Sequence, residues 1–478
     1  MEGVVAAKTK IIVSDLHLGA GLEGAGGNPL EDFISDIDFV EWLHGLTAES
    51  NARGADMEFI INGDFLEMLQ VPATPRFNPA EPYPPALYAA NDEAAALLKL
   101  THITQGHPGV FAALADFISL QPRRSVVMMS GNHDPELYWP GVQNAIRNLL
   151  GAAGEMHDLL HFPPRSYLAD GVYVEHGNQY TESVNRFSNM AQPLDPQDPT
   201  RLELVWGSRF VVEYFNLIER ERSWVDGVAP MTGLIWYGLH YDFAFAAQAL
   251  KLLLQAAPRL GLPRDATPKQ AAAAAALEAD LATPAAVAAA QARYESDPAF
   301  RREFESRVME ALRNAQADDT LLPSARALTP ADALARANQS VDEQKSRLQV
   351  EAQRIARETH AHLVTFGHTH MPEVISLEGG ATYINSGTWI WNGNFSHATA
   401  AQWEDLFRRP SHYATQRRLS YVRVDYDATG KPTARLLEVG KPTPPVVDPT
   451  GAGNVHPAPA PTSRRGCLPA LLMLPWRH

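Results

Sequence analysis

The sequence predicts an α/β fold that is interrupted by a long helical insertion. Apolar runs rich in Val, Ile and Met recur along the chain, and five of them end in Asp, Asn or His, usually beside glycine. Between residues 190 and 355 this pattern stops, and aromatic and then alanine-rich segments take its place. A chain of 478 residues is long enough for one large domain with such an insertion.

Each strand candidate is followed directly by polar residues. With their polar ends the candidates cover residues 10–15, 57–64, 125–133, 171–177 and 362–370, and residues 382–387 add a sixth. In open α/β sheets ligands bind outside the carboxyl ends of the strands. We therefore expect these polar ends to converge, although they lie far apart in the sequence.

The segment between the fourth and fifth strands is expected to be helical. Residues 268–316 are rich in alanine and predict helices separated at Pro284, and residues 329–359 predict one further helix or a pair. Residues 231–254 are apolar and approach the length of a membrane span, but Asp242, Gln248 and Lys251 interrupt them. These residues could form a membrane span, but the polar residues favour a buried cap helix.

These patterns set the expected domain boundaries. The core is predicted to be discontinuous, at 1–190 and 356–441, with late strands at 419–426 and 433–439 and a helical cap at 191–355. Residues 442–478 are rich in Pro, Gly and Ala and predict a disordered tail. Its end, 464–478, is a short apolar run with basic flanks, which suits contact with a membrane surface or with a partner, or else a sticky disordered end.

Composition narrows the classes of function. A formal net charge of −15 argues against a broad nucleic-acid-binding face, because phosphate backbones are bound by basic surfaces. Cys467 is the single cysteine, so the chain forms neither an internal disulfide nor a thiolate metal cage. No long apolar segment precedes the first strand. We expect a cytoplasmic protein, or one peripheral to a membrane.

The polar strand ends supply metal donors of three kinds. Aspartate offers a hard oxygen, histidine an imidazole nitrogen and asparagine a neutral carbonyl, a mixture that suits Mn, Fe or Zn. Seven candidate ligands are too many for one ion but enough for two ions that share a carboxylate, and two-metal sites serve in-line displacement at phosphorus. The candidates are Asp15, His17, Asp64, Asn132, His176, His368 and His370.

The same residues belong to five sequence motifs. These are Asp15-Leu16-His17, Gly63-Asp64, Gly131-Asn132-His133-Asp134, His176-Gly177 and Gly367-His368-Thr369-His370. As an ordered set they resemble the motifs of the calcineurin-like metallophosphoesterases, over residues 9–180 and 360–390. The resemblance implies a four-layer α/β/β/α sandwich that carries the insertion as a cap, and it implies a metal-dependent phosphohydrolase.

The resemblance also distributes the ligands over two divalent or mixed-valence ions, Mn, Fe or Zn. The ligands of the first ion would be Asp15, His17 and His370. The ligands of the second ion would be Asn132, His176 and His368. Asp64 would bridge the ions. His133 would assist the leaving group or stabilise phosphoryl charge while a metal-bridging hydroxide attacks phosphorus in line.

Three neighbouring residues are expected to support this site. Glu67 lies where the protein-phosphatase branch has an Asp that orients the catalytic His, so we expect Glu67 to orient His133. Asp134 could support the site, cap the helix that begins at Pro135, or do both. Gly367 is expected to allow a tight turn that delivers the two following histidines to different ions.

The substrate is less defined by the sequence. Phe65 and Ser130 stand near positions where the protein-phosphatase branch has Arg, and the motifs look more like the branch of UDP-2,3-diacylglucosamine pyrophosphatase. That branch usually has Asp where this chain has Asn178, so its substrate is not transferable. Arginines in the insertion could bind phosphate or be surface charges. They are Arg186, Arg209, Arg220 and Arg222.

An apolar cap suits a small-molecule phosphoester with a bulky or lipid-like organic part. The alternatives are a metal-binding scaffold or partner module without catalysis and, disfavoured by the acidic balance, a nuclease. The sequence gives no reason to expect an obligate protein partner.

Overall fold

The computed structural model describes residues 8–22, 27–181, 183–260, 267–312 and 330–441, and the predicted tail at 442–478 lies outside these ranges. The described chain is a mixed α/β protein with two mixed sheets and many helices. Its strands are β1 Lys8–Val13, β2 Asp56–Asn62, β3 Arg124–Met129, β4 Leu160–His161, β5 Ser166–Ala169, β6 Val172–Glu175, β7 Val228–Ala229, β8 Leu363–Phe366, β9 Glu373–Ser376, β10 Thr382–Asn385, β11 Gly393–Asn394, β12 Ser420–Tyr426 and β13 Pro432–Glu438.

Helices alternate with these strands along the chain, and the insertion is mostly helical. They are α1 Asp36–Arg53, α2 Pro85–Ala89, α3 Glu93–Gly106, α4 Pro108–Phe117, α5 Pro140–Leu149, α6 Trp206–Phe210, α7 Asn216–Glu219, α8 Thr232–Tyr241, α9 Phe243–Ala256, α10 Pro268–Asp280, α11 Pro284–Ser296, α12 Pro298–Leu312, α13 Pro330–Thr359, α14 Ala400–Arg408 and α15 Ser411–Ala414. A π-helical segment, Val211–Phe215, joins α6 to α7.

Six strands form the first sheet, in the order β13-β12-β1-β2-β3-β4. The pairs from β1 to β4 are parallel, and β12 and β13 add an antiparallel edge. Val13 pairs with Ile61, and Ile61 pairs with Met128. The later parts of β1, β2 and β3 are continuous apolar runs, at residues 11–13, 59–61 and 126–129, because a parallel sheet buries both of its faces.

The second sheet has the order β5-β6-β8-β10-β9, and its three central strands are parallel. The six strands predicted with polar ends are confirmed, with three in each sheet, and the late strands predicted at 419–426 and 433–439 are β12 and β13 of the first sheet. One buried hydrophobic cluster includes Ile12 and Ile60 of the first sheet together with Val174 and Ile384 of the second. The polar strand ends that the sequence predicts to converge therefore come from two sheets.

The insertion is helical, as expected, but its divisions differ in part from the prediction. Helices α10 and α11 are separated before Pro284, as predicted, and the region that allowed one helix or two is the single helix α13. The predicted cap helix at 231–254 is instead two helices. Asp242 ends α8 and caps α9 by accepting a hydrogen bond from the backbone of Phe245.

Most of one large hydrophobic cluster comes from the insertion, and helix α14 contributes to it. Phe210, Trp236 and Phe304 of the insertion belong to the same buried cluster as Trp403 and Leu406 of α14. Residues through Gly440 form one compact unit. The boundary expected at residue 355 lies within α13, so the chain re-enters the predicted core without a break in this helix.

Within the described ranges, no single helix is both long and apolar enough to cross a membrane. Helices α10 and α11 reach the required length and composition only as a pair, and they are bent by 107° relative to one another.

Candidate metal centre

The ends of five strands deliver the predicted metal ligands. Asp15 and His17 follow β1, Asp64 follows β2, Asn132 follows β3, and the remaining histidines follow β6 and β8. Parallel pairing continues past the strands, since the backbone N–H of Asp15 donates to Gly63 at 3.1 Å. In the second sheet the N–H of Gly367 donates to the carbonyl of His176 at 2.8 Å. The loops are therefore fixed by backbone hydrogen bonds.

Five of the seven candidate ligands have a left-handed backbone. Their φ angles lie between 49° and 67°, a region that side chains other than glycine enter rarely. Such strain costs about 1–3 kcal/mol per residue and is concentrated at functional sites. The five residues are Asp15, His17, Asp64, His368 and His370.

The tight turn expected at Gly367 falls instead on the two histidines that follow it. Gly367 is not among the residues with positive φ, whereas His368 and His370 have φ of 67° and 58°. A Cβ atom on Gly367 would lie 2.5 Å from Oδ2 of Asp15. The glycine is required because the second-sheet loop approaches the first-sheet carboxylate closely.

The first donor group consists of Asp15, His17 and His370, the set that the resemblance assigns to the first ion. Nε2 of His370 lies 3.3 Å from Oδ1 of Asp15 and 3.2 Å from Nε2 of His17. The donor atoms of the group lie within 4.8 Å of one another. A carboxylate oxygen and two imidazole nitrogens are a donor set that fits a divalent transition metal.

The second donor group consists of Asp64, His176 and His368. Nε2 of His176 lies 3.0 Å from Oδ2 of Asp64 and 3.2 Å from Oδ1 of Asn132. The same Asp64 oxygen lies 3.9 Å from Nε2 of His17, which belongs to the first group. Asp64 thus belongs to the second group and also lies near the first, where the predicted bridge would be.

Two histidines have their outward nitrogens fixed by hydrogen bonds. Nδ1 of His176 donates to the backbone carbonyl of Asn62 at 2.9 Å, and Nδ1 of His17 contacts a carboxylate oxygen of Glu67 at 2.7 Å. Partners of this kind orient metal-binding histidines and fix the tautomer. In both residues they leave Nε2 directed toward the donor group.

Glu67 connects His17 with His133. Its Oε2 atom lies 2.7 Å from Nδ1 of each ring, and these three residues form the third donor group within range of a metal ion. Burial raises the pKa of Glu67, but the charge and hydrogen bond of His133 outweigh burial and lower it to about 2. Burial lowers the pKa of His133, and Glu67 and Asp64 reverse this and raise it to about 10. The close approach of Glu67, His17 and His133 is therefore explained by direct hydrogen bonds between them.

Asp134 holds two site loops together through their backbones. Its carboxylate accepts hydrogen bonds from the N–H groups of Gly131, Asp64, Phe65 and Leu66 at 2.6–3.2 Å. It makes no side-chain cap to the short helix that begins at Pro135. Of the two roles expected for Asp134, supporting the site is the one that its contacts match.

The charges of the two donor groups stabilise each other. Burial raises the pKa of Asp64, but the charges of His176 and His133 outweigh burial and hold it well below its ordinary value. Burial lowers the pKa of His176, and Asp64 reverses this and raises it to about 9. Since a metal ligand must be an unprotonated imidazole, an ion that binds here would displace a proton.

A cavity of about 290 Å³ opens over the donor groups. Its floor includes Asp64, Asn132 and His133, and its other walls come largely from the insertion. None of the four arginines considered for phosphate binding lines the cavity, and Arg222, for instance, pairs with Asp242 instead. The insertion contributes a carboxylate, Asp226, which the sequence reasoning missed because no local motif marks it.

No protein-family model matches the chain, and no curated protein matches it significantly in sequence. The resemblance carried by the five motifs therefore stays a prediction.

Replacing Gly131 with Ala is expected to disrupt the metal centre. A Cβ atom at this position would lie 2.1 Å from Oδ1 of Asp64 and 2.7 Å from its backbone nitrogen, so the carboxylate must move. We expect metal affinity to fall by about 10–100-fold, as measured by competition with a chelating dye. Gly109→Ala is the control, because its Cβ would make an ordinary 3.5 Å contact with Val40. Equal metal affinity in Gly131→Ala and Gly109→Ala would contradict the tight contact between Gly131 and Asp64.

Replacing Glu67 with Gln is expected to destabilise the metal-free protein, because two buried imidazoles lose their carboxylate. We expect the free energy of unfolding to fall by about 1–3 kcal/mol. The charge of Glu67 stabilises the fold above pH 4.5, and this stabilisation is lost as the pH falls toward about 2. Protonated His133 stabilises the fold fully below pH 6.5, and that contribution is lost as the pH rises through about 10.

The difference between wild type and Glu67→Gln should therefore be largest between pH 4.5 and 6.5. Urea unfolding across a pH series measures it. A difference that stays constant up to pH 10 would show that the charged pair does not stabilise the fold.

Proposed function

We propose that the protein is a phosphoesterase with a dinuclear metal centre, related to the calcineurin-like metallophosphoesterases, that hydrolyses a phosphoester or pyrophosphate bond. The observation that carries the proposal is the pair of donor groups on either side of Asp64, with His133 beside them. Scattered structural histidines would not be expected to form two such groups at the ends of five strands. The four-layer sandwich is part of this proposal, supported by the hydrophobic cluster to which both sheets contribute.

The donor atoms fit the ion assignment made from the sequence. Asp15, His17 and His370 would hold one ion, and His176 and His368 would hold the other. Asn132 would complete the second set through the oxygen that lies 3.2 Å from Nε2 of His176. Two such ions would lower the pKa of a bound water and take up charge on the phosphoryl oxygens.

His133 is suited to give a proton to the leaving oxygen. Its Nδ1 atom is held by Glu67, so Nε2 is the nitrogen available to a substrate. The side chain lines the cavity and is 22% exposed. A positioned imidazole of this kind contributes about 10²–10⁴-fold to a hydrolytic rate. Glu67 and Asp134 act through other residues, the first by orienting His133 and the second by fixing the loops.

The cavity favours a compact organic group over a long acyl chain. A volume of about 290 Å³ is at the lower end of small-ligand sites. Behind Phe210 and Met231, the apolar interior of the insertion leaves a void of only about 10 Å³, roughly the space of one water molecule. At this place the insertion is therefore filled by its own side chains, so an acyl chain would find no room behind Phe210 and Met231.

Turnover by metal-loaded protein tests the proposal. We expect hydrolysis of bis-p-nitrophenyl phosphate, p-nitrophenyl phosphate or a pyrophosphate from a small panel, with Mn, Fe, Zn, Co, Ni or Mg added. His133→Asn should lower kcat by about a hundredfold or more. His157→Asn is the control, since the side chain of His157 is exposed and contacts the neighbouring Asp158. Protein that contains two ions per chain and hydrolyses none of these compounds would contradict the proposal and favour a metal-binding scaffold.

A further inference from the structure

The cavity over the donor groups has an unusual balance of charge for a phosphoester site. Its described lining contains neither Lys nor Arg. Apart from the histidines, its charged residues are Asp64 and Asp226. A site for a nucleotide or another polyanion would be expected to offer basic side chains away from the metal ions. The organic part of the substrate therefore meets a surface that is apolar, polar or negative.

Asp226 is held in place by backbone pairing between the insertion and the core. It lies two residues before β7, which pairs in parallel with β11. The N–H groups of Gly393 and Phe395 donate to the carbonyls of Gly227 and Ala229, both at 2.6 Å. Asp226 also lies close enough to His133 for its charge to raise the pKa of that imidazole. The carboxylate is thus fixed beside the proposed proton donor.

Two further carboxyl groups lie next to Asp226. Asp32 makes a side-chain hydrogen bond with Asp226, and Glu219 is fully buried with one oxygen, Oε1, that has no hydrogen-bond partner in the described structure. Burial and the neighbouring carboxylates raise the pKa of both Asp32 and Glu219 well above the ordinary values. Within the described ranges, no lysine or arginine forms an ion pair with Asp226. Apart from the protonated His133, the described lining on this side of the cavity therefore offers no cationic side chain to balance Asp226.

The geometry favours an organic cation over a third metal ion. Asp226 belongs to none of the groups of donor atoms that lie within 4.8 Å of one another. The part of the cavity wall that the insertion supplies is largely apolar and includes Phe210, Phe215, Val228 and Met231. Carboxylates and aromatic rings in an apolar wall recognise alkylammonium groups by charge and by cation–π contact.

We infer that Asp226 and the apolar wall of the cavity form a subsite for an ammonium group on the organic part of the substrate, an inference that rests on the proposed phosphoesterase function. The substrate class is a phosphoester of an amino alcohol. Its phosphoryl group would lie over the donor groups and its cationic end would lie toward the insertion. The insertion then selects the substrate by charge rather than by binding an acyl chain.

A pair of non-hydrolysable ligands tests the subsite directly. Trimethylammonioethyl phosphonate and the isostere with carbon in place of the quaternary nitrogen have the same shape and differ in one charge. Titration calorimetry on Mn-loaded protein should show roughly tenfold tighter binding of the cationic ligand. In Asp226→Asn the ratio of the two affinities should approach one. Glu221→Gln, which changes the same charge at an exposed position of the insertion, should keep the wild-type ratio.

Turnover of the matching p-nitrophenyl esters is measured in parallel, so that the ammonium subsite and the phosphoesterase function are tested separately. Equal binding of the two ligands by the wild type, or an unchanged ratio in Asp226→Asn, would overturn the subsite even if both esters are hydrolysed. A charge preference without hydrolysis of either ester would support the subsite and overturn the phosphoesterase. If Asp226→Asn does not fold, the salt dependence of the wild type takes its place as the test. The preference of the wild type for the cationic ligand must then weaken as salt is added. A preference that does not change with salt would overturn the subsite.

Discussion

The candidate site depends on left-handed backbone at the ends of the strands. A strand that simply continued would send alternate side chains to opposite faces of its sheet. At His17, Asp64 and His370 the chain instead turns with positive φ, and the polar side chain meets those from the other sheet. Each turn is unfavourable for a residue other than glycine, so the surrounding contacts must enforce it.

The enforcing contacts come from buried polar groups and from close backbone approach. Asp134 accepts four backbone hydrogen bonds from the loops after β2 and β3, and Glu67 holds His17 and His133 at equal distances. Gly131 leaves space for the carboxylate of Asp64. The loops are thus fixed by contacts among the protein's own groups. Without an ion, protons on the imidazoles balance the buried carboxylates.

Local patterns were sufficient to predict the central strands, the polar residues that follow them and the long helices of the insertion, but not helices α1 to α5, α14 and α15. β-branched runs that end in Asp or His are visible in a single sequence, so Asp15, His17 and Asp64 could be identified. The break between α8 and α9 was missed, although Asp242 has the chemistry of a helix cap, because the apolar run continues across it. Asp226 could not be predicted, since its position depends on pairing with residues more than 160 positions away.

The insertion and the core contribute different things to the cavity. The core supplies the donor groups and His133, while the insertion supplies an apolar wall and a carboxylate. The charge preference of the cavity is therefore set by residues outside the five motifs. This division explains why motifs alone point to phosphoester chemistry but do not define the substrate.

The proposed phosphoesterase would require two ions that bind close together across Asp64. Electron paramagnetic resonance of Mn-loaded protein measures this directly, because ions about 3.5–4 Å apart with a shared carboxylate are magnetically coupled. We expect a coupled two-ion signal in the wild type, and an uncoupled single-ion signal in both His370→Ala and His368→Ala. A wild-type spectrum from one ion, or from two isolated ions, would contradict the dinuclear centre.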